Sequence, residues 1–258
     1  MGIARVQYLE PPILVAHAES FGNHMREQFA TVADMKWRRK MNDVMTKIHD
    51  LSTALDKETA SLLPASGKLL LLGSQDSVFL KAVHRKADAL GIECDYTFHF
   101  IPPYQGVIVD GETVPASFQL SADVDIDNFY SPGMSAVSQA VLTLLLALDL
   151  VHAKDITIVG RGHAVQNLAK HLTLGNATVT VAHSKTKSLL QVTMNRDVVI
   201  YATPTITKDI SYNTRDLVID LGNSVPHPDR FNCPYVNRIG QLTVSVLLNR
   251  FARKEHRA

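Results

Sequence analysis

DITIVGRGHAVQNLAKHLTLGNATVTVAHSKT, residues 155–186, decides the fold. Ile156-Thr157-Ile158-Val159 is a short β-branched run, the mark of a buried strand in a parallel sheet. Gly160-Arg161-Gly162 follows at once. Val165, Leu168, Ala169 and Leu172 then recur at helical spacing and predict a helix directly after the turn. Gly175-Asn176 ends that helix, and Ala177 to Ala182 predicts a second strand. Strand, glycine turn, helix, strand is a βαβ unit, with its glycines where a dinucleotide pyrophosphate meets a helix N-terminus. Val165 holds the third position of G-x-G-x-x-G, which serves close helix–strand packing, so the fingerprint is incomplete. A glycine turn that binds nothing is the alternative.

The end of the second strand speaks to the kind of dinucleotide. An NAD site carries Asp or Glu there to accept the ribose 2′-hydroxyl. This chain has His183-Ser184-Lys185-Thr186, without a carboxylate, and Arg161 in the turn. Cations and hydroxyls suit a 2′-phosphate, which a carboxylate would repel. The cofactor expected is therefore NADP, with NAD the alternative; Lys185 and Lys187 also fit a solvated face.

With 258 residues, 46% of them hydrophobic, the chain can bury one large core or two modest ones. Its net charge of +1 leaves no electrostatic footprint for nucleic acid or an anionic membrane. The basic cluster Lys36-Trp37-Arg38-Arg39-Lys40 reads as an exposed helix face. Cys94 and Cys233 are too far apart in sequence for a disulfide framework or a zinc pattern. The longest apolar run, 140–148, is too short to span a bilayer, and the N-terminus lacks a signal core. A cytoplasmic protein without nucleic-acid or membrane partners is expected.

Upstream, residues 1–65 read as mainly helical, with amphipathic patterns over 18–29 and 41–55 and scattered His17, His24 and His49. A strand is predicted over 68–72, then a helix over 77–90 closed by Gly91, with Val78, Ala82, Val83, Ala87 and Leu90 on its apolar side. Further strands are expected over 93–100 and 106–109. Residues 115–133 form an acidic loop in which Asp123-Val124-Asp125-Ile126-Asp127 lacks the glycine and glutamate of a calcium loop, so no metal is expected. A long apolar helix runs over 134–148. Downstream, strands over 197–203 and 217–222 extend the nucleotide sheet, 225–237 is irregular, and Gly240 opens a final helix. Ligands in open parallel sheets bind beyond the carboxyl ends of strands. That places Gly160, Arg161, Gly162, His183, Ser184, Thr203, Pro204, Gly222 and Asn223 around one crevice.

These segments resemble methylenetetrahydrofolate dehydrogenase/cyclohydrolase. IVGRGHAVQNLAKHLTLGNATVTVAHSKT, DVVIYATPT, LVIDLGNS and PYVNRIGQLTVSVLLNR fall in the order and spacing of that family's motifs, and LLLLGSQDSVFLKAVHRKADALGI is similar to its first strand and catalytic helix. The resemblance implies two α/β domains separated by a cleft, the C-terminal one a Rossmann-type NAD(P)-binding domain. It places an N-terminal folate domain at 1–133 and the nucleotide domain at 134–239, with helix 240–258 packing back on the former. It further implies folate in the cleft, NADP on the second domain, and a homodimer. Arg161 and Ser184 match the family's 2′-phosphate contacts, and Gly240 and Thr243 part of the loop bordering the nicotinamide. Gln119 and Asp125 match remnants of the folate segment, Asp125 holding the pterin ring.

The departures are as informative. Gly162, Gln166 and Leu168 replace the family's serine, glycine and proline. The catalytic helix should carry Tyr with Lys four residues later, but counting back from Gly91 gives Phe79 and Val83. Anchoring on Ser77 gives Leu80 and His84, and a third register gives Lys81 and Arg85. Valine moves no proton, and arginine essentially never deprotonates. Bulky Tyr235, Val236, Arg238 and Ile239 replace a glycine-rich loop. The expected function is an NADP-dependent methylenetetrahydrofolate dehydrogenase-like oxidoreductase of one-carbon metabolism with cyclohydrolase activity weak or lost. The alternatives are a catalytically inactive NAD(P)-binding or interaction protein, and a reductase of another small substrate.

Overall fold

The computed structural model describes residues 38–63, 67–97, 104–111, 120–237 and 239–256. The expected helix at 18–29, His17, His24, Gln119 and Arg238 lie outside them. The protein is an α/β structure with two all-parallel sheets. Residues 38–62 form α1, which buries Val44, Ile48, Ser52 and Thr59 at roughly one-turn intervals. The first sheet holds β1 (Leu69–Leu72), β2 (Cys94–Thr97) and β3 (Gly106–Val109) in the order β2-β1-β3. Helix α2 (Val78–Leu90) crosses between β1 and β2. Ser77 Oγ accepts from Leu80 N–H at its start, and Gly91 adopts φ +75° at its end, where Ile92 N–H reaches back to Ala87. Its inward face is Leu80, Val83 and Ala87. Val78, expected on that face, is exposed, because two residues of helix turn it about 200° away from buried Leu80.

Helix α3 (Ala136–Ala147) leads into the second sheet, made of β4 (Asp155–Val159), β5 (Thr178–Ala182), β6 (Val198–Tyr201), β7 (Leu217–Asp220) and β8 (Tyr235–Val236). Its order is β5-β4-β6-β7-β8. Strand β8 lies in the stretch expected to be irregular; two residues paired with Val218 and Ile219 of β7 carry too little pattern to show in sequence. Short helices α4 (Leu168–Leu174) and α5 (Leu189–Thr193) cover this sheet, and α6 (Gly240–Glu255) closes the chain against α2 and α3. An apolar cluster that includes Val44, Leu80, Val83, Leu144, Ile158 and Phe251 runs from the first sheet to the second.

The chain does not enter a helix directly after the glycine turn. Gly160 to Gly162 lead into a single 3-10 turn, His163–Val165, and then Asn167 at φ +61° breaks the path before α4 begins. The apolar spacing of Val165, Leu168 and Leu172 is met, since all three are buried, yet it is met by two pieces. Asparagine tolerates the left-handed region, and its side chain donates to Pro132 O at 2.7 Å and Gly133 O at 2.9 Å. The amides presented after Val159 therefore belong to a turn rather than to the end of a long helix.

After β5 the chain returns to the other side of β4, so β4 and β6 flank the topological switch point. The strand ends come unusually close there. A β-carbon on Gly160 (φ +129°) would stand 2.3 Å from Ala202 O, and one on Gly222 1.9 Å from Thr203 O. Gly162 at φ −76° has open space instead. Gly160→Ala is expected to cost about 2 kcal/mol or more in urea denaturation. Gly162→Ser should stay within about 0.5 kcal/mol of the parent.

Candidate functional site

A cavity of about 330 Å³ opens at the switch point. Seven residues expected from sequence line it: Gly160, Arg161 and Gly162 from the turn, His183 and Ser184 after β5, and Thr203 and Pro204 after β6. Val159, Leu189, Ala202 and Ile206 supply apolar wall, and among the described residues no Asp or Glu is in the lining. Thr205, Thr207 and Lys208 also line it and were missed. Their signal is weak: a cation and hydroxyls in an irregular segment, outside any strand–turn–helix pattern. Gly222, Asn223, Gly240 and Thr243 are not in the lining. Gly222 supports it from behind through the close approach to Thr203, while Asn223 accepts from Asn237 Nδ2 at 3.1 Å. Thr243 is buried in the first turn of α6, bonded to Ile239 O at 3.3 Å.

The loop after β5 is a built turn. His183 N–H donates to Thr186 Oγ1 at 2.9 Å, and Thr186 N–H returns to His183 O at 2.8 Å. Lys185 N–H donates to His183 Nδ1 at 3.2 Å, which puts the ring proton on Nε2. Across the crevice, Lys208 Nζ donates to Ser184 O at 3.1 Å and to Thr186 O. Four threonine and serine residues, one guanidinium and one ammonium thus border the cavity. That donor set fits an anionic, phosphorylated ligand.

On the other side of the turn His163 is held from both ends. Nε2 lies 3.0 Å from Asp127 Oδ2, and Nδ1 lies 3.0 Å from Gln166 Oε1. Gln166 is oriented by its amide, which donates to Ser131 O and Gly133 O, each at 2.8 Å. Both ring nitrogens therefore face acceptors, the arrangement of a doubly protonated imidazolium. Burial pushes the imidazole pKa down, but the Asp127 and Gln166 hydrogen bonds and the Asp127 charge outweigh it, and the net shift is upward. Asp127 also accepts from Ala136 N–H at 2.6 Å, capping α3, and lies 4.0 Å from Arg250 Nη1. Arg250 in turn donates to Gln139 Oε1 at 2.8 Å and Met134 O at 2.8 Å.

Comparison with known proteins adds an independent observation. Residues 135–232 match the model of the tetrahydrofolate dehydrogenase/cyclohydrolase NAD(P)-binding domain. That match covers the second sheet, from α3 to the segment before β8. The bifunctional protein FolD of Clostridium beijerinckii is 30% identical to it, over 50% of this chain and 56% of the relative. FolD of Macrococcus caseolyticus is 36% identical over 33% of this chain and 32% of its own. The chain thus spans about half the length, or less, of these curated relatives. The fold extends further than the sequence match. The Campylobacter jejuni FolD structure superimposes with a TM-score of 0.63 at 17% identity, covering 84% of this chain and 96% of that one. The Trypanosoma brucei enzyme, solved with NADP and an inhibitor, gives 0.63 at 18% identity, covering 81% and 94%.

The first sheet lies outside the stretch matched by that domain model. Asp125, expected at the pterin, is buried and turned into its own loop. Its oxygens accept from Phe129 N–H, Tyr130 N–H, Ser131 N–H and Ser131 Oγ at 2.7–3.0 Å. Three of these donors fall on Oδ2 and one on Oδ1, so Oδ1 keeps acceptor capacity. On α2, Leu80 and Val83 point into the core. His84 stacks on Tyr96 with centroids 5.0 Å apart and bonds Asp88, while Lys81 reaches Asp76 and Arg85 the Lys81 carbonyl. Lys86 is drawn between α1 and α6, 2.9 Å from Asp56 and bonded to Ser52 and Ser245. No register places Tyr with Lys on this helix. Burial pushes the Cys94 and Cys233 thiols up to about 12, which leaves neither a thiolate nucleophile at neutral pH.

The raised His163 pKa makes a pH prediction. A group whose pKa is higher folded than unfolded contributes stability in full below the unfolded value, about 6.5, and loses it as pH rises through the folded value. Urea midpoints should therefore fall as pH is raised from 6 across that window. His163→Gln, which cannot titrate, should remove that part of the slope.

Proposed function

We propose that the chain is an NADP-dependent methylenetetrahydrofolate dehydrogenase-like oxidoreductase of one-carbon metabolism, with cyclohydrolase activity weak or lost. The observation that carries this reading is the cavity at the β4–β6 switch point, bordered by Arg161 and Ser184 and lined by no carboxylate. The match of residues 135–232 to the tetrahydrofolate dehydrogenase/cyclohydrolase NAD(P)-binding domain supports the reaction class, and the Trypanosoma brucei enzyme of similar fold was solved with NADP.

NADP, when bound, supplies the redox chemistry of hydride transfer, and the protein's part is to bind and align. In this reading Arg161 and Ser184 take the 2′-phosphate, the amides from Gly160 to Gly162 meet the pyrophosphate, and Thr203 and Pro204 border the dinucleotide. The close backbone approach at Gly160 and Gly222 keeps the strand ends narrow beneath it. Gly240 and Thr243 stand at the start of α6, towards the nicotinamide. A folate substrate is proposed for the cleft between a 1–133 domain and a 134–239 domain, with 240–258 packing back on the first.

Hydride transfer needs face-to-face alignment and little acid–base help from the protein. Cyclohydrolysis needs a proton-moving side chain, and Val83 in the core is not one. Exposed Leu174 and Val181, beside the free edge of β5, support a homodimer, and two free cysteines fit a reducing cytoplasm. Among the described residues no helix is long and apolar enough to cross a membrane.

Two measurements test the proposal. NADPH should raise the melting temperature and NADH should do so less, because a ligand of the folded state stabilises it by mass action. The chain should then oxidise methylenetetrahydrofolate with NADP while hydrolysing the methenyl form poorly. Binding of NADPH without folate turnover would favour the inactive-binder reading, and binding of neither nucleotide would end the oxidoreductase assignment.

A further inference from the structure

We propose that Lys208 is a specificity-determining residue of the nucleotide cavity, adding a third contact to the 2′-phosphate beside Arg161 and Ser184. This rests on the reading that an NADP-class dinucleotide fills the cavity. Lys208 leaves the chain in the irregular segment after β6, four residues beyond Pro204, and reaches across the crevice to the loop after β5. Its ammonium donates to Ser184 O at 3.1 Å and to Thr186 O. Ser184 also lines the cavity, so the ammonium is anchored on the backbone of a lining residue.

An ammonium has three donors and two are used, which leaves one for a ligand. Among the described residues its charge has no carboxylate partner: no ion pair involves Lys208, although Asp209 is its neighbour in sequence. Arg161 likewise forms no ion pair there and lines the same cavity. Two uncompensated cations on a cavity with no carboxylate among its described lining residues disfavour an empty or neutral site. They favour a dianion, and a phosphomonoester carries close to two charges at neutral pH. The anchoring on two backbone carbonyls fixes where the charge sits before the ligand arrives, which lowers the ordering cost of binding. Lys208 therefore does two things with one side chain, holding the Ser184 turn and charging the pocket.

The test separates those two roles. Lys208→Gln keeps a donor for the carbonyls and loses the charge, and Lys208→Met loses both. Dissociation constants are measured for NADPH and NADH, and for the fragments 2′,5′-ADP and 5′-AMP, on wild type and both variants. Lys208→Gln should weaken NADPH and 2′,5′-ADP about tenfold or more, the scale of one charge-assisted hydrogen bond, with NADH and AMP unchanged within about twofold. Lys208→Arg should retain most of the preference. Equal loss for phosphorylated and unphosphorylated ligands would make Lys208 a loop clip and overturn the proposal, as would an unchanged ratio in Lys208→Gln. Should Lys208→Met not fold, Lys208→Gln alone decides. The underlying reading fails differently: wild type itself would bind NADH as tightly as NADPH, or neither.

Discussion

The carboxylate of Asp127 accepts from the first amide of α3 and from the His163 imidazolium, and it lies 4.0 Å from the guanidinium of Arg250 on α6. A buried charge is tolerable only when paired and hydrogen-bonded, so these partners stand or fall together. Through them the glycine turn of the second sheet, the loop that leaves β3, and the helix that ends the chain share one joint. The turn after Val159 is consequently held by side chains, His163 and Gln166 and Asn167, rather than by running straight into a helix. Gln166 contributes an amide that clamps Ser131 O and Gly133 O.

That joint frees the other side of the turn for a ligand. The strand ends at Gly160, Ala202 and Gly222 approach so closely that no β-carbon fits on either glycine, and the crevice they form is edged with hydroxyls and cations. Negative side chains are spent elsewhere: Asp127 at the joint, Asp125 on its own loop, Asp220 on Ser224, Val225 and Tyr235. The electrostatic character of the cavity follows from this segregation as much as from the cations in it.

Dinucleotide binding depends on backbone geometry at a switch point, which many side-chain changes leave intact. Proton transfer depends on one side chain in one place, and the inward positions of α2 are Leu80, Val83 and Ala87.

Sequence by itself determined the parallel α/β class, the succession of β4 to β7 along the chain, the close of α2 at Gly91, and the crevice residues from Gly160 to Pro204. Each of those follows from local pattern, since β-branched runs, glycine turns and helical spacing are read within a dozen residues of one another. Only the tertiary structure decided the break at Asn167, the two-residue strand β8, the inward turn of Asp125 and the reach of Lys208 across to Ser184. In three of them the deciding partner is distant in sequence or too short to form a pattern, while Asp125 meets amides four to six residues on, in a loop without periodicity. Asn167 is held by carbonyls more than thirty residues earlier, Lys208 by carbonyls more than twenty residues earlier. Periodicity reports which face a residue takes; which distant atom it meets there is set by how the elements pack.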